Sequence, residues 1–266
     1  MERLKYNKDH WARSDDHRKA LEQYLKSHFR PYNYTKFTLM MELLGPNLAG
    51  KKILDFGSGA GEMAIPCAKL GANVFLVDAE QATLDTARFF AKKESVLSRC
   101  EFFCSTWLPN SLVGIKYDIV ILKDIIEHIK DDTKLLKDIF YYQKPGGLLL
   151  LSTQNAMSLN YLVEGLLYQK WKVGNINWCG WDPTHLRFYT PFSIKKKLTL
   201  AGYLPMKWRS VFIIPYNIFK WVPIIRKFVR SQLPILRYFD LSFGKIFPFN
   251  RLGWNFIVLA QRKKQI

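Results

Sequence analysis

The run Ile53-Leu54-Asp55-Phe56-Gly57-Ser58-Gly59-Ala60-Gly61-Glu62 carries the first chemistry in the chain. An apolar segment that ends in glycines at alternate positions, and then continues as a helix, lets the backbone approach a ligand closely and presents unpaired N–H groups to it. The spacing GxGxG departs from the GxGxxG of dinucleotide sites. Asp55, two positions before the first glycine, would repel a pyrophosphate but suits a ligand carrying an ammonium group. Further on, the run Val74–Val77 ends in Asp78, placed to accept hydrogen bonds from two ribose hydroxyls. Adenosine joined to an amino-acid tail fits both ends.

These residues need a particular scaffold. Short β-branched or Leu-rich runs at 52–56, 73–78, 101–104, 117–122 and 147–152 alternate with amphipathic stretches at 61–70, 80–93 and 131–142, a pattern of βαβ units with a parallel sheet. Before them, 1–48 reads as a helical segment packing over the ligand mouth. After them come 154–190, rich in Trp, Tyr and Asn, then a helix at 191–201 capped by Thr190 with Pro191 in its first turn. A strand near 203–214 and a last strand at 254–261 complete the set. The core is thus expected over 49–214 with 252–264, interrupted by insertions at 154–190 and 215–251.

At 266 residues, 48% hydrophobic and 15% aromatic, the chain can bury a sizeable core and is not of disordered composition. Cys67, Cys100, Cys104 and Cys179 show neither a CxxC pair nor zinc-ligand spacing, so reduced thiols are expected. The charged first residues and the lack of a long apolar run predict a cytoplasmic protein that does not span a membrane. A net charge of +18 implies an anionic partner: nucleic acid, a lipid headgroup surface or a phosphorylated substrate.

Over roughly 50–205 the sequence resembles the class I S-adenosylmethionine-dependent methyltransferases. Asp55, Gly57, Gly59 and Gly61 match the first family motif, DxGxGxG, and Asp78 matches the acid that ends strand 2. Tyr117-Asp118-Ile119-Val120 with Glu127-His128-Ile129 resembles the fourth-strand region, and Lys144-Pro145-Gly146-Gly147 the turn before strand 5. The resemblance implies an α/β, Rossmann-like fold with a mostly parallel seven-stranded sheet and helices on both faces. It also implies S-adenosyl-L-methionine as cofactor, held by Asp55, Gly57, Ser58, Gly59, Gly61, Asp78, Ala79, Ser105, Thr106 and Lys123. One departure lies after strand 3, where Ser105, Thr106 and Trp107 stand in place of the acid that many members direct at adenine.

The residues after strand 4 narrow the acceptor. Lys123-Asp124-Ile125-Ile126-Glu127-His128 lacks the Asn/Asp-Pro-Pro-Tyr signature of amino-group nucleic-acid methyltransferases, and the cysteines of RNA cytosine-C5 enzymes are missing. The DxxEH run is similar to the small-molecule group that includes the ubiquinone-biosynthesis O-methyltransferases, and the run at 185–191 with the helix 195–203 after it resembles bacterial methyltransferases of glycan, lipid-linked saccharide and quinone pathways. Transfer to oxygen needs the acceptor proton held by a base, and His128 is the candidate, with Glu127 and Asp124 beside it. No metal is required for that chemistry. The alternatives are a divalent metal held by Asp124, Glu127 and His128, or a loop-shaping role alone. In the 154–190 insertion, Asn155, Trp181, His185, Arg187 and Tyr189 are candidates for substrate contact; His185 and Arg187 could equally pin the loop to the core.

The segment 205–251 carries nine Lys/Arg and one acid, Asp240, among many aromatics. It suits a membrane surface, an RNA face, or a cap on the protein's own core; apolar spacing at Phe219, Val222, Ile225 and Val229 favours short helices lying flat. The function expected is O-methylation of an amphipathic or lipid-linked small molecule at a membrane surface, the alternative being an RNA methyltransferase or RNA-binding protein. Liposome binding would favour the first and salt-sensitive RNA retention the second.

Overall fold

The computed structural model describes residues 14, 16–180, 182, 184–214 and 233–263. Seven strands form one sheet: β1 (Lys52–Phe56), β2 (Asn73–Asp78), β3 (Cys100–Cys104), β4 (Tyr117–Lys123), β5 (Gln143–Gln154), β6 (Tyr203–Val211) and β7 (Asn255–Arg262). Their order is β3-β2-β1-β4-β5-β7-β6, with β7 antiparallel to both neighbours and the other pairings parallel. The order reverses between β1 and β4, which makes the carboxyl ends of those strands the crevice where open α/β sheets bind ligands. Strands β1, β2 and β4 read as continuous apolar runs because both of their faces are covered. One core cluster, with Leu54, Val120, Leu149 and Phe256, lies on one face; another, with Ile53, Leu76, Ile121 and Ile257, lies on the other.

The helices are α1 (His17–His28), α2 (Pro31–Leu44), α3 (Ala64–Lys69), α4 (Gln81–Lys93), α5 (Asp132–Tyr142) and α6 (Pro191–Leu200). Asp16 caps α1 by accepting from the N–H groups of Arg18 and Lys19. Buried Ala20, Leu21, Tyr24 and His28 recur at helical spacing and turn one face of α1 onto the glycine-rich loop. Thr190 caps α6 in a reciprocal pair with Ser193, with Pro191 in the first turn. Three boundaries differ from the sequence reading. Residues 61–63 form a turn, so α3 starts at Ala64; β5 begins at Gln143 and carries Lys144–Gly147 within it; β6 ends at Val211.

The 154–190 insertion contains a π-helix, Tyr161–Lys172, whose i→i+5 bonding widens the turn. Of the basic aromatic segment, 215–232 lies outside the described residues, and with it Phe219, Val222, Ile225 and Val229. Its described part includes a helix, Leu233–Phe243, that packs against α2. Asp240 on this helix is buried and accepts from the N–H groups of Phe212 at 2.8 Å and Ile213 at 3.1 Å, and desolvation pushes its carboxyl up to about 6.

Candidate active site

At the carboxyl end of β1 the chain turns through Gly57, Gly59 and Gly61 with φ of 75°, 52° and 81°, a region that residues with a Cβ enter at a cost. At Gly57 the fit is absolute, since a Cβ there would lie 2.1 Å from Cγ1 of Ile125. Gly59 faces open space, with nothing within 4 Å of its Cβ position. The turn encloses a cavity of about 180 Å3 lined by Tyr24, Asp55, Ser58, Gly59, Glu62 and Lys123, among others. That is smaller than the roughly 300–1,000 Å3 of whole-ligand pockets, and matches a ligand's tail rather than all of it.

Charges of both signs meet in this cavity. Asp55 is buried, and desolvation pushes its carboxyl up to about 7 despite the nearby Lys123 charge. Burial opposes ionisation of Glu62 as well, but Lys123, with Nζ 2.6 Å from Oε2, and the His28 contact outweigh it and hold Glu62 at about 2. The Tyr24 hydroxyl donates to the same Oε2 at 3.3 Å. Ser58 Oγ is buried without a protein partner, a polar atom left for a ligand. Asp78, at the end of β2, accepts from Gly59 N at 2.8 Å and from Glu80 N and Thr83 Oγ1, so it braces the glycine loop while a carboxylate's remaining lone pairs stay available. An open glycine cradle, an orphaned hydroxyl and paired charges fit the amino-acid end of S-adenosylmethionine.

Past β4 the chain bends at Asp124, which has φ of 53°, into a single turn Ile126–His128. The Asp124 carboxylate accepts from buried Lys36 of α2, from Ser152 Oγ at 2.8 Å and from Asn255 Nδ2 at 3.1 Å. Burial opposes its ionisation, yet Lys36 and then Lys123 hold it well below the usual carboxylate range. Glu127 is fully buried; desolvation, and after it the Asp124 charge, pushes its carboxyl upward. Its Oε2 accepts from Thr153 Oγ1 at 2.9 Å, while Oε1 has no protein partner. His128 Nδ1 lies 2.9 Å from Thr184 Oγ1 and 3.3 Å from Thr184 O, and its ring meets that of His185 edge-on with centroids 4.7 Å apart. Tyr161, Trp178, Phe188 and Trp254 pack on one another as an aromatic cluster, and Gly180 lies between it and His185, its Cβ position 3.1 Å from His185 Nδ1 and 3.3 Å from Phe188 Cζ.

Residues 27–204 match the sequence profile of a family described as a methyltransferase domain. The chain belongs to that family. A ubiquinone biosynthesis O-methyltransferase of Dinoroseobacter shibae is 31% identical over 181 residues, 66% of this chain and 69% of that protein. One from Acinetobacter baylyi is 36% identical over 141 residues, 51% of this chain and 58% of the relative. The chain spans about half to two-thirds of the length of the curated relatives it matches. Among solved structures, magnesium protoporphyrin IX methyltransferase of Synechocystis with bound SAH superposes with a TM-score of 0.58 at 16% identity, covering 92% of this chain and 95% of that one. The [4+2]-cyclase SpnF superposes with a TM-score of 0.57 at 17% identity, covering 86% and 81%. At such identities the likeness is one of fold, and the cyclase illustrates that this fold also carries other chemistry.

In this methyltransferase domain, Asp55, Gly57, Ser58, Gly59 and Lys123 line one cavity. Gly61 stands behind it, where a Cβ would lie 2.8 Å from Ile65 Cγ1. Ala79 follows Asp78; Ser105 N donates to Asp78 O at 2.8 Å, and Thr106 is exposed. Three of the substrate candidates are engaged within the protein. Asn155 is buried, with its amide donating to Arg251 O and Gly253 O and accepting from Met157 N; Arg187 bonds Asp132 and Lys130 O; the Tyr189 hydroxyl donates to Asp132. All three tie the insertion to the core, as Lys197 does through Asp132. His185 packs edge-on against His128, and Trp181 lies outside the described residues. The metal set Asp124, Glu127 and His128 is not assembled, because Lys36 engages Asp124; the described residues whose ligand atoms lie within 4.8 Å of one another are Glu127, His128 and His185. Tyr24, His28 and Glu62 were not anticipated as site residues. Glu62 adjoins the glycine motif and was within reach of the sequence, whereas Tyr24 and His28 arrive from α1 and leave only a helical i, i+4 pair as a signal.

Proposed function

We propose that this chain transfers a methyl group from S-adenosyl-L-methionine to a hydroxyl of an amphipathic or lipid-linked small molecule at a membrane surface. The observation that carries this reading is the placement of two unlike sites at the ends of one strand turn. Lys123 closes β4 on the wall of the glycine-loop cavity, and His128 stands at the end of the turn beyond it, edge-on to His185. The relatives named as O-methyltransferases agree with it.

S-adenosylmethionine supplies an activated methyl on a sulfonium, which an alcohol oxygen accepts only once its proton is held elsewhere. Asp55, Ser58, Glu62 and Lys123 offer partners of both charge signs to the cofactor's amino-acid end, and Asp78 offers acceptors to the ribose. His128 holds the acceptor proton. Glu127, its carboxyl pushed upward by burial and then by Asp124, leaves Oε1 without a protein partner beside His128 and His185. Proximity supplies the rest of the acceleration.

A membrane-side acceptor is supported by the outer face of the π-helix. Leu162, Leu166, Leu167 and Trp171 recur at steps of four and five, the period of an i→i+5 helix, and Trp171 is 82% exposed. Val173 and Ile176 extend the patch, Lys170 and Lys172 flank it, and the acid of this helix, Glu164, is buried. Apolar anchors beside lysines suit an anionic lipid interface. Among the described residues no helix is long and apolar enough to cross a membrane. The test is incubation with methyl-labelled S-adenosylmethionine and a lipid extract of the source cell. A lipid product one methyl heavier supports the reading; label on RNA, or on no small molecule, overturns it.

A further inference from the structure

The loop that brings Thr184 to His128 is tied to the turn at 126–128 by Leu186 N, which donates to Glu127 O at 3.0 Å, and is closed on itself by His185 N, which donates to Asp182 O at 3.3 Å. Within it, Asp182 Oδ1 accepts from Thr184 N at 2.9 Å and from Thr184 Oγ1 at 2.5 Å. A threonine hydroxyl has one proton to give. With that proton directed at Asp182, Thr184 Oγ1 faces His128 Nδ1 as an acceptor, 2.9 Å away. The second neighbour of Nδ1, the carbonyl of Thr184 at 3.3 Å, is an acceptor by nature. Two acceptors on one ring nitrogen require that nitrogen to carry the hydrogen.

We propose that Asp182 and Thr184 form a hydrogen-bonded relay that keeps the His128 proton on Nδ1 and its lone pair on Nε2, which makes them positioning residues for the base. The proton order is His128 Nδ1–H to Thr184 Oγ1, and Thr184 Oγ1–H to Asp182 Oδ1. No proton leaves the relay during transfer; the acceptor's proton arrives at Nε2, and the imidazolium so formed faces two acceptors through Nδ1. The charged and titratable groups around the ring are Asp182 across Thr184, His185 edge-on, and Glu127 one residue before. The Asp182 carboxylate is held below its ordinary range, against desolvation, by the two Thr184 bonds and then by His185 and His128, so it acts only as acceptor. A fixed tautomer matters because a base with the wrong nitrogen protonated loses catalysis without losing its geometry.

The inference rests on the reading of His128 as base, but its first test does not. Nitrogen-15 spectra of the full chain, taken where His128 is neutral, should show Nδ1 protonated and Nε2 bare; a proton on Nε2 overturns the relay whatever the enzyme's activity. Thr184→Val removes the hydroxyl at almost constant volume and leaves only the longer carbonyl contact. The Nδ1-protonated population should fall, and turnover should drop about tenfold with KM little changed, as for loss of one hydrogen bond to an orienting group. Thr184→Ser should restore both. A Thr184→Val enzyme with wild-type turnover and tautomer contradicts the relay. Wild-type turnover in His128→Ala would instead reject the base and leave the spectroscopic result to stand or fall by itself.

Discussion

The proposed cofactor end of the site is made from a contiguous stretch, Asp55 to Glu62, whose backbone forms the cradle, while the proposed acceptor end joins His128 to Thr184 and His185 across a separation of about 56 residues. The first depends on glycines and on the strand order, both fixed by the fold. The second depends on side chains of an insertion whose own polar groups, Asn155, Arg187 and Tyr189, are engaged in holding it down. The difference implies that the two ends fail differently. Damage to the cradle should show in cofactor affinity and stability together, and damage to the acceptor end should show in turnover alone.

The largest effect sharpens that contrast. His128→Ala should lower turnover by about 10²–10⁴ with cofactor affinity nearly intact, checked by steady-state kinetics beside calorimetry. A parallel loss of cofactor affinity would mean that the two ends are not separable. Next come two glycines of one loop that should behave unlike each other. Gly57→Ala adds a Cβ 2.1 Å from Ile125 at positive φ, so thermal denaturation should report a loss of about 2–4 kcal/mol. Gly59→Ala meets nothing in the protein and should cost only about 1–2 kcal/mol of stability while abolishing much of the cofactor binding. Equal stability losses at the two positions would remove the case for an open cradle at Gly59.

Arg187→Ala tests the other region. If Arg187 anchors the insertion, stability should fall by about 1 kcal/mol, since Lys197 and Tyr189 still face Asp132, and the acceptor KM should stay within about twofold. A raised KM at unchanged stability would return Arg187 to the substrate.

A fourth test is a pH slope at the cradle. Asp55 is pushed from 3.8 to about 7 in the folded protein, so between those values the folded chain binds a proton that the unfolded chain has released. Its contribution to stability is therefore complete below about pH 4 and declines as pH rises to about 7, the opposite of Glu62, whose contribution is lost as pH falls toward about 2. Asp55→Asn should flatten the decline between about pH 4 and 7, the window between the two carboxyl values, in melting experiments, and weaken cofactor binding in exchange. An unchanged slope would place the Asp55 carboxyl in its ordinary range.

Legibility in the sequence divides along the same line. The cradle is legible because GxGxG after a buried strand constrains φ and close approach at named positions, and because Asp78 must end the neighbouring strand. All seven strands could be placed from apolar runs, although β5 starts earlier than its runs suggest, since Gln143 pairs with Tyr117 across an irregularity that holds Pro145 and Gly146. The acceptor end is less legible. Nothing in DxxEH tells that Lys36, far away on α2, will take Asp124 and leave Glu127 and His128 beside His185. Nor does an Arg in a polar loop reveal whether its partner is a substrate or Asp132. Such pairings are set by tertiary packing across the sheet, to which local spacing is blind.

Calorimetric titration of the wild-type chain and Asp78→Ala with S-adenosylhomocysteine tests the central claim most directly. Asp78 stands between the glycine loop and the expected ribose, with Gly59 N 2.8 Å from its Oδ2. Wild type should bind one equivalent, and Asp78→Ala should bind more weakly by about 2–4 kcal/mol, as for lost charge-assisted hydrogen bonds. No binding by wild type, or equal affinity in the two proteins, would contradict a cofactor site at this loop.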